Sequence, residues 1–187
     1  LGNLFSSYKN NKNDQFYITI KKAEIHNPWF TKKNINTSIH YWESKLKLKN
    51  LNAWISKYEI IERPAVEVGI VMAGNFPLAG LHDLICVVIS GNIALIKTSR
   101  SDKILIDYLV DFLWKKFPIS KHYILKSEIL KEFDKVIATG SNNTFRYFEY
   151  YFKKKPAILR KSRTSVAILE NDTDMHSLRL LAKDIFT

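Results

Sequence analysis

The apolar and polar positions of this chain change period along its length. Phe16, Ile18 and Ile20 alternate with their neighbours, which predicts a strand over residues 15–20. After Asn27-Pro28-Trp29-Phe30, Ile39, Trp42 and Leu46 recur at three- and four-residue spacing and predict a helix capped by Asn34 or Asn36. Leu51, Trp54 and Ile55 place a second short helix over residues 48–58. From Val66 the pattern becomes short apolar runs cut by turns. Residues 66–73 are mostly apolar, with β-branched Val66, Val68, Ile70 and Val71, and read as a buried strand. Gly74-Asn75-Phe76-Pro77 breaks that strand. Pro77 then opens an amphipathic helix to about Ile89, closed by Ser90-Gly91-Asn92. A second buried strand covers residues 93–96 and ends on Lys97-Thr98-Ser99-Arg100.

The alternation continues. Leu105, Tyr108, Leu109, Phe112 and Leu113 form the apolar face of a helix over residues 102–117, with Asp102 at its start as a cap and Pro118 as its stop. Residues 122–125 read as a short strand and residues 128–133 as a short helix. Residues 135–139 are a strand ending in Gly140-Ser141-Asn142-Asn143. A helix follows over residues 144–152, with Phe145, Phe148 and Phe152 spaced three and four apart. Residues 157–159 and 165–169 read as a strand pair or one bent strand. Residues 172–174 lead into a last helix over residues 175–186, with Leu178, Leu181 and Ile185 on one face. Strands alternating with helices predict an α/β fold of the doubly wound type, residues 63–187, preceded by a helical segment, residues 1–62. In such folds ligands bind at the carboxyl ends of the strands. The polar groups gathered there are Asn75, Lys97, Arg100 and the Gly140-Ser141 turn.

Composition narrows the classes. With 187 residues, 46% hydrophobic and 25% charged, the chain can bury one sizeable core. No apolar run reaches membrane-spanning length, and the lysine-containing N-terminus is not a secretory signal. Cys86 is the single cysteine, which excludes an internal disulfide and favours a cytoplasmic protein. The formal net charge of +11 suits either an anionic partner or plain compositional bias. The lysines are scattered, including Lys153-Lys154-Lys155 at a helix end, and favour the second. There is no zinc-ligand spacing and no nucleic-acid module.

Three separated segments carry a specific resemblance. Residues 74–77, GNFP before a helix, residues 90–99, SGNIALIKTS, and residues 138–152, ATGSNNTFRYFEYYF, resemble the aldehyde dehydrogenase superfamily. With LRKSRTSVAIL at residues 159–169, the chain is most similar to the bioluminescence-type (LuxC-like) acyl-CoA reductases, from about Asn27 to its last residue. The resemblance implies a Rossmann-like dinucleotide-binding domain with an N-terminal helical cap. It also implies NADPH-dependent reduction of a fatty acyl-CoA to the aldehyde through a cysteine acyl-enzyme. Asn75 takes the place of the oxyanion donor. Ala73, Gly74, Lys97, Ser99, Arg100, Gly140 and Ser141 take the places that face the cofactor, Lys97 at the adenosine ribose. NAD-preferring members carry a glutamate where this chain has Arg100, and a cation there suits the 2′-phosphate of NADP(H).

Arg160 stands where acid-forming members carry the glutamate that activates water, which favours a reductase. With Lys161 and Arg163 it either meets CoA phosphates or faces solvent. His82 and Asp83 lie either at the site mouth or on a plain helix surface. Trp29 and Trp42 read as core, with a smaller prospect of shaping the acyl site. Cys86 is expected to be an inert core residue without an adjacent base. In the family the nucleophilic cysteine follows the last helix seen here, so the chain reads as the cofactor-binding portion of a longer enzyme. Implied partners are an acyl-CoA or acyl thioester, and a homo-oligomer or an acyl-transfer protein. Three other readings remain: a reductase of an acyl phosphate, a non-catalytic basic domain that binds nucleic acid, and a remnant with neither activity.

Overall fold

The computed structural model describes residues 1–7, 14–59 and 63–186. The β-branched runs form strands as the pattern requires: β1 Glu67–Val71, β2 Ile93–Lys97, β3 Ile124–Lys126, β4 Lys135–Thr139 and β5 Ala157–Arg160. They make one all-parallel sheet in the order β3-β2-β1-β4-β5. Helix α5, Leu81–Ile89, links β1 to β2, α6, Lys103–Lys116, links β2 to β3, and α7, Asn142–Phe152, links β4 to β5. The order is compatible with a Rossmann-like fold. Strand order reverses between β1 and β4, where Val71 stands opposite Ala138 on one side and Lys97 on the other. The turns that leave β1 and β4 therefore diverge from neighbouring points at one edge of the sheet.

Alternation along β1 splits the core. Val68 and Ile70 enter the large cluster with Leu81, Leu84, Leu105 and Leu109. Gly69 faces the other way. A Cβ there would meet the side chains of Leu130 and Phe133 at 3.2 and 3.3 Å. Val136, Ala138 and Phe148 form a smaller cluster with Val71 and Leu159 on that second face. The helices ahead of the sheet are α1 Gly2–Ser7, α2 Gln15–His26, α3 Lys32–Lys45 and α4 Leu48–Ile55. Phe5, Phe16, Ile20, Ile35, Ile39 and Trp42 from these helices join the large cluster, and Phe16 stacks on Tyr108 of α6 with centroids 5.3 Å apart.

Several expectations are corrected. Residues 15–20 are the start of α2, not a strand. Asp14 accepts the Phe16 N–H at 2.9 Å and caps the helix, and Phe16 and Ile20 are buried one helical turn apart while Ile18 is exposed. Thr31, not Asn34 or Asn36, caps α3 by accepting the Asn34 N–H at 3.2 Å. The helix after Pro77 starts four residues later. Residues 77–80 form a turn, and Leu78 has φ 62°, a left-handed conformation that no α-helix contains. Residues 128–133 are irregular, because Leu130 and Phe133 fold over Gly69 instead of forming a helical face. The strand expected at residues 122–125 starts only at Ile124, since His122 ends a 3-10 turn, Pro118–His122. Residues 165–169 form no strand and β5 pairs only with β4. The last helix, α8, Met175–Phe186, forms as expected, with Asp174 accepting the His176 and Ser177 N–H groups.

Because Phe16 is fully buried against α6, Phe16→Ala should cost about 3–5 kcal/mol. Chemical denaturation followed by tryptophan fluorescence and far-ultraviolet dichroism should show one coincident, lowered transition. A separate early loss of helix with the sheet intact would contradict a shared core.

Candidate functional site

The two turns nearest the reversal of strand order are held by glycines. Past β1, the Met72 N–H still bonds to the Lys97 carbonyl at 3.0 Å, so β1 and β2 stay together beyond their last ladder pair. Gly74 then passes against Ser99. A Cβ at Gly74 would collide with the Ser99 Oγ and lie 2.5 Å from its Cβ. Only glycine allows that approach. It brings Ala73, Gly74 and exposed Asn75 beside the residue 97–102 loop, where Lys97 and Arg100 are exposed. The same loop is braced by α2: His26 Nε2 lies 3.1 Å from the Arg100 carbonyl, and buried Asn27 donates to the Ser101 carbonyl at 3.3 Å. The Arg100 backbone is thus pinned while its side chain is exposed.

Gly140 closes the β4 end. Its N–H donates to the Arg160 carbonyl at 3.1 Å, and a Cβ there would meet the Phe148 ring at 2.9 Å and Thr144 Cβ at 3.0 Å. Ser141 caps α7 by accepting the Thr144 N–H at 3.3 Å. Buried Thr139 Oγ1 beside it has no hydrogen-bond partner among the described residues. The sequence pattern did not reveal Glu128, which joins the basic loop from the β3–β4 connection. Lys103 bonds it at 3.0 Å, and that bond, reinforced by the charges of Lys103, Lys97 and Arg100, holds its carboxyl below the usual range.

Arg160 does not simply face solvent. Its Nη1 donates to both oxygens of Asp83 at 2.7 and 2.8 Å. Asp83 is buried in α5 rather than lying on a plain surface. The charge pair joins the carboxyl end of β5 to the helix over β1 and β2, and no local pattern signals it because the partners stand 77 residues apart. Cys86 is only partly buried, and it does have a base nearby: its Sγ lies 3.7 Å from the ring nitrogens of His82. Burial and the Asp83 carboxylate push the thiol up, against the pull of Arg160, which favours its protonated form. Cys86 lines a cavity of about 520 Å³ with Trp54, Tyr58, Arg63 and Lys135. Val66 and Asn92, which precede β1 and β2, also line it, so this cavity sits at the amino edge of the sheet, opposite the two glycine turns.

Asp102 was expected to cap α6, but its side chain makes no capping bond. Its Oδ2 accepts the Leu78 N–H at 2.7 Å instead. Burial pushes the carboxyl up to about 8, partly opposed by that hydrogen bond. A serine or asparagine cap and this tether look alike in sequence.

No protein-family model matches the chain, and no curated protein matches it in sequence. Among the described residues no cluster of His, Cys, Asp or Glu is arranged to hold a metal ion, and no helix is long and apolar enough to cross a membrane. At the carboxyl edge Gly74 and Gly140 keep side chains out of the turns after β1 and β4, Lys97 and Arg100 are exposed past β2, and α7 begins two residues after Gly140.

Two outcomes follow. Arg160→Met strands a buried carboxylate and should cost about 3–5 kcal/mol, with Asp83→Leu in the same chain restoring most of it; equal loss in the single and double variants would contradict the pairing. Between the ordinary value of 3.8 and about 8, the folded chain keeps a proton on Asp102 that the unfolded chain releases. Its contribution therefore weakens stability as pH rises through that window, by up to about 1.4 kcal/mol per pH unit, and levels off above it. Denaturant midpoints across the window should fall less steeply in Asp102→Asn.

Proposed function

We propose that the carboxyl edge of the sheet binds NADP(H) and that the domain serves the NADPH-dependent reduction of a fatty acyl thioester to its aldehyde. The reading rests on the resemblance to the LuxC-like acyl-CoA reductases of the aldehyde dehydrogenase superfamily. The single observation that supports it best is the close approach of Gly74 to Ser99. That approach sets the Asn75 turn beside the Arg100 loop, as a cofactor lying along the strand ends would need.

In this reading Lys97 contacts the adenosine ribose, and Arg100 takes the 2′-phosphate by a charge-assisted hydrogen bond. Gly74 and Gly140 let the backbone approach the dinucleotide, and the α7 N-terminus faces its diphosphate. Ser99 packs Gly74 in place, and Ser141 keeps the first turn of α7 formed. NADPH supplies the hydride. The Asn75 amide, exposed at the edge, donates to the oxygen of the acyl group as charge builds on it. The Asp83–Arg160 pair supports reduction over acid formation. The position that would activate water is a cation, and the nearest carboxylate is held by it. Cys86, protonated at the opposite edge, is not the nucleophile of this reading. An acyl-CoA is the substrate proposed, in the cytoplasm.

Titration of NADPH and NADH against the protein, followed by nucleotide fluorescence, tests the reading. NADPH should bind about tenfold or more tightly than NADH, the difference of one charge-assisted contact, and Arg100→Glu should abolish that preference. Equal affinities, or no saturable binding, would contradict it.

A further inference from the structure

The turn of residues 74–80 carries Asn75 yet belongs to no helix or strand. Two side-chain bonds to other parts of the fold hold its backbone. Buried Ser38 of α3 donates to the Pro77 carbonyl at 2.7 Å, and the Leu78 N–H donates to Asp102 Oδ2 at 2.7 Å. Leu78 is the only non-glycine residue with positive φ among the described residues, and its side chain is 1% exposed. A left-handed leucine locked into the core persists only where its surroundings over-determine it. Asp102 supplies that determination from the other loop of the site. Its backbone N–H bonds to the Ser99 carbonyl at 3.1 Å, and its carbonyl starts α6 through Ile106 at 3.2 Å.

The choice of residue is informative. Capping α6 would need only a short side chain reaching the first turn, and Asp102 does not perform it. The carboxyl is 99% buried by residue exposure, and its Oδ1 has no partner among the described residues. A buried carboxyl with an unmet oxygen is costly. What it gains is a side-chain hydrogen bond that links the Asn75 turn to the Arg100 loop, beside the packing of Ser99 on Gly74.

We propose that Asp102 is a positioning residue of the carboxyl-edge site: through the Leu78 N–H it fixes where the residue 74–80 turn presents Asn75 relative to Lys97 and Arg100. This role rests on the cofactor reading above. Asp102 touches neither cofactor nor substrate, and acts by holding the turn.

Three variants of the full chain test it. Asp102→Asn keeps an acceptor for the Leu78 N–H at nearly the same volume. Asp102→Leu keeps the volume and removes the acceptor. Asp102→Ser is too short to reach Leu78 and retains a helix-capping hydroxyl, so it serves if the leucine variant does not fold. Hydrogen exchange at the Leu78 amide and NADPH affinity are measured on each, beside thermal stability. Wild type and Asp102→Asn should protect the Leu78 amide and bind NADPH within about twofold of one another. Asp102→Leu or Asp102→Ser should lose that protection while β1 amides stay protected, and should bind NADPH about tenfold more weakly. Asparagine failing as badly as serine would overturn the tether, since restoring the acceptor would then restore nothing. Full NADPH affinity in a folded variant with an exchanging Leu78 amide would overturn the coupling. If wild type binds no NADPH, the cofactor reading falls and takes this role with it. If wild type binds and all variants match it, only the role of Asp102 falls.

Discussion

The approach of Gly74 to Ser99 governs the carboxyl edge of the sheet. Parallel strands leave their turns free to diverge, and an ordinary side chain at position 74 would run into Ser99 and push the two turns apart. With glycine at 74, the exit of β1 lies flat against the exit of β2. Everything chemical at that edge depends on this. Asn75 is exposed beside the residue 97–102 loop, and the α2 terminus holds that loop through His26 and Asn27. The N-terminal helices act as a clamp on this loop as well as part of the core.

Charge is distributed to match. Three carboxyl groups at this edge each have a partner: Asp83 pairs with Arg160, Glu128 with Lys103, and one oxygen of Asp102 accepts the Leu78 N–H. Lys97 and Arg100 are left exposed beside two open turns. A net positive chain does not by itself select a ligand; the two exposed cations at this strand edge are the charge that the proposed phosphate-bearing cofactor would meet.

The strands β1, β2 and β4 and the helices α6, α7 and α8 were legible because each satisfies its own period with its own residues; burial follows the pattern in the strands and α6, whereas α8 forms with Ile185 of its apolar face exposed. The α2 segment was misread because Phe16, Ile18 and Ile20 alternate over too short a window to separate period 2 from the i, i+4 pair that packs; the Asp14 cap decides it. The late start of α5 had no signal, since left-handed leucine is dictated by Asp102, twenty-four residues away. The same holds for Arg160. Its position in the chain suggested an exposed cation, and its partner was a residue read as helix surface. The candidate site positions 73–75, 97–100 and 140–141 were legible as strand ends, because that edge follows from topology. The tethers that hold them were not, because they are contacts across the fold.

Hydrogen exchange of the whole chain with and without saturating NADP⁺ tests the central claim most directly. The account predicts slowed exchange at residues 73–78, 97–102 and 140–144, the three turns of the carboxyl edge, with the amino-edge cavity around Trp54 and Cys86 unchanged. Protection confined to that cavity, or no protection at the strand ends under saturation, would contradict it.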